Sequence, residues 1–359
     1  MGENFPKRPE EVTGEWLSNR LEDAGLLSDG HVTAIDHQSI GTGQVGDSIR
    51  FTLTYSREGA GPPSIAGKFA ASDPTSRATA QMMKLYLHEV GFFRELADQL
   101  PVRTPRPIYA DIADDNGDFI LLMEDLGTAR QGNQLTSCSL DDARHAICQA
   151  AALHGPSWGR GSIIDAPFIQ PDPQISAMAA ALYPKSTATF VERYSGDIPA
   201  HLMAIVHRLG ELAEPLFDLK KQRKSLVHGD FRLDNMLFDI CGGKEPLAIV
   251  DWQTLRPGDG AEDIGYFMGA GIGSDLRRRA EDELLDLYCE QMGRHGVDVS
   301  RSAIERGYRL GAIHGVSTAV FSAANVVRTE RGDENFLSMA MGALELVQDT
   351  GALALIEEA

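Results

Sequence analysis

Short apolar runs and alternating positions fill the first third of the chain, and a longer rhythm follows. The early pattern predicts strands at residues 32–40, 48–55 and 64–70. A glycine-rich turn separates the first two, and Glu58-Gly59-Ala60-Gly61-Pro62-Pro63 separates the next two. Thr13 can cap a short opening helix that carries Trp16, Leu17 and Leu21. Asp73-Pro74 opens a helix expected to run to about Leu100, where Pro101 and Pro105 stop it. Two more strands flank Asp115-Asn116-Gly117, a strong hairpin signal, and the second of them is the apolar run 119–123.

After Asp125-Leu126-Gly127 a helical period takes over, at residues 140–153, 201–219, 275–292 and 302–326. One compact exception lies between Ser225 and Trp252. There Met236-Leu237-Phe238 and Leu247-Ala248-Ile249-Val250 flank Cys241-Gly242-Gly243, which reads as a hairpin. The expected class is α+β with two lobes: a five-stranded antiparallel sheet with one helix over residues 1–123, a hinge at 124–127, and a larger, mainly helical lobe over 128–359.

Composition narrows the function classes. A 43% apolar and 24% charged chain is an ordinary globular protein. No apolar run is long enough to cross a bilayer and the first nine residues lack a secretory pattern, so cytosolic residence is the default expectation, with no membrane partner. The net charge of -19 argues against a nucleic-acid partner. It reads either as a solvated surface or as a field that attracts a cationic substrate. Cys138, Cys148, Cys241 and Cys289 form neither a disulfide framework nor a zinc pattern and are expected as buried structural thiols.

The chemistry concentrates in His228-Gly229-Asp230-Phe231-Arg232-Leu233-Asp234-Asn235. Phosphoryl transfer needs a carboxylate to align the attacking hydroxyl and oxygen ligands for magnesium nearby. A loop with Asp230 at one end and Asn235 at the other offers both. The second strand of the hairpin ends in Asp251-Trp252-Gln253, whose Asp251 supplies a further carboxylate for metal. Arg232 can contact the γ-phosphate or cover the loop.

Gly41-Thr42-Gly43-Gln44-Val45-Gly46 matches G-x-G-x-x-G. A dinucleotide site would need a helix next, whereas Ser48 to Tyr55 alternates as a strand, so Gly41, Gly43 and Gly46 read as a glycine lid over a triphosphate. Asp47 is expected to face solvent or cap the turn, because inward it would repel phosphate. Lys68, in an otherwise apolar strand, is either a phosphate clamp or an edge-strand gatekeeper. As a clamp it needs a helix carboxylate. Glu89 shares the apolar face with Phe92, Phe93 and Leu96 and is favoured, with Glu95 as the alternative. Met123, Glu124 and Leu126 follow the apolar strand, where exposed backbone can bond a purine edge and Met123 can pack behind the ring. His154 reads as a helix-dipole partner and His228 as a brace of the loop. Asp263 reads as a bond to loop N–H groups or a helix cap.

Together, the glycine loop, Lys68, Glu89, the apolar hinge strand, His228-Gly229-Asp230 with Asn235, and Asp251-Trp252-Gln253 resemble the aminoglycoside phosphotransferase and choline kinase superfamily. His154-Gly155-Pro156-Ser157-Trp158, Gly258-Asp259 and Asp263-Ile264-Gly265-Tyr266-Phe267 are most similar to its ecdysteroid kinase-like branch. The resemblance spans nearly the whole chain, more loosely at the hinge and the substrate region. It implies a protein kinase-like fold, ATP (some members accept GTP), Mg2+ and a hydroxylated small molecule as acceptor. It further implies Asp230 as base, Asn235 and Asp251 as metal ligands, and Lys68 as clamp. Trp252-Gln253 brings no second carboxylate, which leaves Asp251 as the single bridging ligand.

Two rival functions are a protein Ser/Thr kinase and a catalytically silent nucleotide-binding protein. The first lacks an Ala-Pro-Glu-like anchor, and its activation loop would have to fit the short stretch to Asp263. The filled catalytic positions speak against the second. The acceptor (sterol-like, sugar-like or aminocyclitol) and the oligomeric state stay open.

Overall fold

The computed structural model describes residues 5–41, 45–218, 222–326 and 328–358. The chain forms two compact units. The first comprises the described residues up to Gln99 together with Thr104–Ala129 and Val250–Thr254, and the second comprises Leu100–Arg103, Arg130–Ile249 and the residues from Leu255 onward.

The first unit is built on an antiparallel sheet of β1 (Val32–Ser39), β2 (Gly46–Tyr55), β3 (Ser64–Ala70), β4 (Pro107–Ile112) and β5 (Phe119–Glu124). Its order is β1-β2-β3-β5-β4. The β4–β5 connection turns at Asn116, whose φ of 57° is left-handed, a conformation Asn tolerates. Phe51, Ile65, Phe69, Ile120 and Leu122 form one apolar core with Leu17 and Leu21 of helix α1 (Gly14–Asp23). Thr13 caps that helix, accepting a 3.2 Å bond from the Trp16 N–H.

The long helix expected after Asp73 is broken. α2 (Pro74–Met82), capped by Asp73, ends before Lys84, whose φ is 58°. α3 (Leu85–Gly91) then runs into a π-helical turn, Phe92–Leu96. No Gly or Pro marks the break at Lys84. The π turn places Phe92 flat against Trp252, with ring centroids 3.9 Å apart and planes 10° apart. This stack, with the Trp252 Nε1–H bond to Thr104 Oγ1 at 3.0 Å, pins the strap 250–254 to the first unit.

In the second unit the three-stranded sheet β6 (Arg130–Gln131), β8 (Met236–Asp239) and β9 (Glu245–Ile249) contains the hairpin expected around Gly242-Gly243. β7 (Ser225–Val227) pairs instead with β10 (Arg256–Gly258). α4 (Leu140–Ser157) packs against these strands, Ser274–Arg294 packs on α4, and Arg301–Asn325 packs among further helices of the unit. Two further long helices, Pro173–Tyr194 and Glu330–Thr350, were not singled out by periodicity. The pattern over 201–219 divides at Leu212 into Ala200–Glu211 and Ala213–Asp218, and Leu219 lies outside the described residues.

The short helix Ala261–Tyr266 lies against Arg301–Asn325 at backbone distance, and glycines permit it. A Cβ on Gly265 would stand 1.9 Å from the Tyr308 carbonyl oxygen, and one on Gly311 2.1 Å from that of Glu262. The cysteines depart from expectation: Cys241 is exposed in the hairpin turn, and the other three are only partly buried. Among the described residues no helix is long and apolar enough to cross a membrane.

Candidate active site

In the first unit the chemistry begins on β3. β3 lies in the middle of the sheet, with Lys68 opposite Ser48 of β2 and Leu121 of β5, so the edge-strand reading of Lys68 fails. Its ammonium stands 2.8 Å from Glu89 Oε1, 2.7 Å from Glu89 Oε2 and 3.1 Å from Asp251 Oδ1. Glu89 is buried on α3, whereas Glu95 is exposed and takes no part. Burial works against the Lys68 charge, but Asp251 and Glu89 outweigh it and raise its pKa above the ordinary lysine value. Burial likewise pushes Glu89 up, against the pull of Lys68.

Asp251 has a φ of 68°, left-handed backbone that Asp tolerates better than most residues. Its other oxygen accepts from Gln253 Nε2 at 3.1 Å. The Gln253 carbonyl lies 3.1 Å from His88 Nδ1, so α3 holds the strap beside Asp251 as well as supplying Glu89.

Of the glycine loop, Gly41 has a φ of 76° and Gly46 opens β2, while Gly43 lies outside the described residues. A Cβ on Gly46 would approach the Phe69 carbonyl oxygen to 3.2 Å and the Lys68 side chain to 3.6 Å. Asp47 turns away to Ser72, just after β3, accepting from its N–H at 3.0 Å and from its hydroxyl, so it braces that segment rather than capping its own turn. The Tyr86 hydroxyl of α3 donates to the Val45 carbonyl at 2.7 Å, tying the end of the loop to the helix that carries Glu89. At the end of β5 Met123 is half-buried and Leu126 is buried. The Glu124 N–H donates to the Arg106 carbonyl at 2.9 Å, which takes one of the backbone groups expected to face a purine.

The second unit holds the other cluster. Gly229 bends the chain after β7 with a φ of 82°, and Leu233–Asn235 closes a 3-10 turn before β8. Asp263 fixes the loop from beneath, accepting from the N–H groups of His228 at 2.6 Å and Gly229 at 3.0 Å. His154 is fully buried, 3.2 Å from Asp263 through Nε2 and 3.0 Å from the Tyr288 hydroxyl through Nδ1. It stands in the last turn of α4, where a dipole partner is expected, and from there it also supports Asp263. The His228 ring accepts the Asp230 N–H at 3.3 Å.

Four contacts surround the Asp230 carboxylate. Arg232 Nε lies 2.9 Å from Oδ1 and 3.1 Å from Oδ2. The Tyr266 hydroxyl donates to Oδ1 at 2.6 Å, and Asn235 Nδ2 donates to Oδ2 at 2.8 Å. Burial alone would raise this carboxyl, but the Arg232 guanidinium and the Tyr266 hydroxyl outweigh it and bring it down to about 2. Arg232 is itself held by Gln134 Oε1 and Asp234 Oδ2, each 2.9 Å from its Nη1. Nearby chain segments line a cavity of about 580 Å³ that includes Ser137, Cys138, Ile272, Leu276, Arg278 and Arg279.

Tyr266, Gln134 and His314, whose Nε2 lies 2.8 Å from the Gly229 carbonyl oxygen, were not read as site residues from sequence. Tyr266 carried a usable signal, since it stands three residues after Asp263 on the same helix face. Gln134 and His314 carried none, because only tertiary packing brings them to the loop.

The solved structures most like this chain include a protein of Ralstonia eutropha JMP134 provisionally described as an aminoglycoside phosphotransferase. It is 15% identical over 93% of this chain and 98% of that one, with a TM-score of 0.53. A microcompartment-associated aminopropanol kinase is 14% identical over 94% and 98%, with a TM-score of 0.54. These likenesses show the protein kinase-like fold. Among curated proteins, mouse acyl-CoA dehydrogenase family member 10 is 35% identical over 83 residues, a stretch covering 23% of this chain and 8% of the mouse protein. The model of the phosphotransferase enzyme family (APH) matches residues 68–298, which run from the lysine of β3 through both clusters. With that match over more than half its length, the chain belongs to the phosphotransferase enzyme family.

Proposed function

We propose that this protein transfers the γ-phosphoryl group of a nucleoside triphosphate, ATP in the first instance, to a hydroxyl of a small molecule. The carrying observation is Asp230: a carboxylate held ionised on a braced loop by Arg232, Tyr266 and Asn235. In the reaction the acceptor oxygen forms a bond to the γ-phosphorus as the bond to the diphosphate breaks. The hydroxyl proton passes late to Asp230, whose low basicity suits alignment more than early deprotonation. Two relatives by fold carry names that fit, an aminoglycoside phosphotransferase and an aminopropanol kinase.

Lys68, kept cationic by Glu89 and Asp251, is assigned to the α- and β-phosphates, and Gly41, Gly43 and Gly46 are assigned to cover them as a lid. Met123, Glu124 and Leu126 are assigned to the purine, with Glu124 acting through groups other than its N–H. Arg232 is assigned to the γ-phosphate once it leaves Asp230. The cavity beside Ser137 and Arg279 is assigned to the acceptor, and the reaction to the cytosol.

Mg2+ fits the donor chemistry. Asn235 uses its Nδ2 on Asp230, which leaves an amide oxygen, and Asp251 offers a carboxylate, both hard donors. Among the described residues no group of three or more His, Cys, Asp and Glu could cage a metal. Mg2+ takes one or two protein oxygens and completes its shell with phosphate and water. When bound it would neutralise charge developing on the β- and γ-phosphates. The reading is tested by incubating the protein with Mg-ATP and a library of hydroxylated metabolites, with phosphorylated products detected by mass spectrometry.

A further inference from the structure

The four contacts on Asp230 are not equivalent. Arg232 Nε is nearly equidistant from the two oxygens, at 2.9 and 3.1 Å, and such an atom lies on the bisector of the carboxylate, facing both oxygens. Of the two carboxylate oxygens, Tyr266 touches Oδ1 alone and Asn235 touches Oδ2 alone, so each holds one side of the group. We propose that Tyr266 is a positioning residue for the transfer: with Asn235 it clamps the flanks of Asp230, so that the face between its oxygens is the one presented to the acceptor hydroxyl. This rests on the phosphotransferase reading above and deepens it.

The flanking groups are fixed and the central one is replaceable. Tyr266 is fully buried, its ring packs 5.1 Å from that of His314, and Gly265 before it leaves the backbone no room to shift against Tyr308. Asn235 is also buried and bonds the Asp230 carbonyl oxygen at 2.9 Å as well as the carboxylate. Arg232, by contrast, keeps Gln134 and Asp234 as partners through Nη1 when its Nε lets go. An acceptor hydroxyl can therefore take the bisecting position while the guanidinium stays anchored alongside. The terminal torsion of an Asp is soft, so a carboxylate clamped on one flank alone can swing out of line with the attacking oxygen. Misalignment of that kind slows transfer without touching nucleotide affinity.

Tyr266→Phe deletes one oxygen and keeps the ring. With the acceptor identified by the metabolite screen, kcat should fall by roughly tenfold or more while the KM for Mg-ATP stays within about twofold of wild type. The circular dichroism melt should stay close to wild type, because Asp230 retains Arg232 and Asn235. An unchanged kcat would overturn the proposal. So would a variant that unfolds, or one whose kcat, nucleotide KM and melting temperature all move together, since Tyr266 would then be structural. Failure of the wild type to phosphorylate any alcohol would overturn the phosphotransferase reading itself, and this inference with it.

Discussion

Lys68 offers a perturbation whose size can be worked out from its neighbours. Lys68→Met keeps most of the stem packed in β3 and deletes the cation. Glu89, only 3% exposed at its side chain, is then left beside Asp251 with no counter-charge. A buried carboxylate stripped of its partner costs on the order of 3–5 kcal/mol. Glu89 has a less costly escape, which is to take up a proton. From the reference value of 4.5, neutralisation at neutral pH costs about 1.4 kcal/mol per pH unit, or about 3 kcal/mol in all. Protonation wins, and because burial already pushes Glu89 up in the wild type, the variant should be at most about 3 kcal/mol less stable than wild type at neutral pH.

The sign of the pH dependence follows. In the variant the folded pKa of Glu89 lies above its unfolded value. The deficit relative to wild type is therefore absent at low pH, where Glu89 is protonated in both proteins, and grows by up to about 1.4 kcal/mol per unit as pH rises from the raised wild-type value toward the higher one of the variant. Urea denaturation followed by circular dichroism, repeated from mildly acidic to mildly alkaline pH, measures this slope. The double variant Lys68→Met/Glu89→Gln should recover much of the stability and flatten the slope, yet still use ATP poorly. A deficit that does not change with pH, or a double variant no better than the single, would refute the reasoning.

Asp251→Asn should weaken Mg-ATP binding by at least about tenfold in calorimetric titration, because it removes charge from the proposed metal site; unchanged affinity would remove Asp251 from that role. Gly311→Ala should destabilise the protein by about 1–3 kcal/mol in urea and lower turnover as well. Its Cβ would push against the Glu262 carbonyl and displace the short helix that carries Asp263 and Tyr266. A variant of wild-type stability and turnover would contradict the close packing.

Much of this organisation was legible locally. The five strands of the first sheet, the hairpin of β8 and β9, and the loop from His228 to Asn235 each announce themselves through alternation, turn residues or a motif. The choice of Glu89 over Glu95 also followed from helical spacing alone. What escaped was set by contacts between distant segments. The break at Lys84 and the π turn after it serve the stack of Phe92 on Trp252, residues 160 positions apart with no local trace of each other. The return of 250–254 to the first unit is the same event seen from the other side. His154 does end α4, but its partners Asp263 and Tyr288 come from segments more than 100 residues away and leave no local trace. Gln134 reaches Arg232 across a similar separation.

The central claim is that Asp230 addresses the acceptor hydroxyl. Asp230→Asn keeps the side chain's shape and removes the carboxylate, while Lys68, Glu89 and Asp251, which Asp230 does not touch, keep their mutual contacts. Wild type and variant should be compared for acceptor-dependent release of nucleoside diphosphate (ADP), with Mg-ATP affinity measured calorimetrically on the same samples. The account predicts that turnover falls by three or more orders of magnitude, in the range of a lost general base and its alignment together, while affinity for Mg-ATP stays nearly unchanged. Turnover that survives the substitution, or nucleotide binding that disappears along with it, would contradict the account.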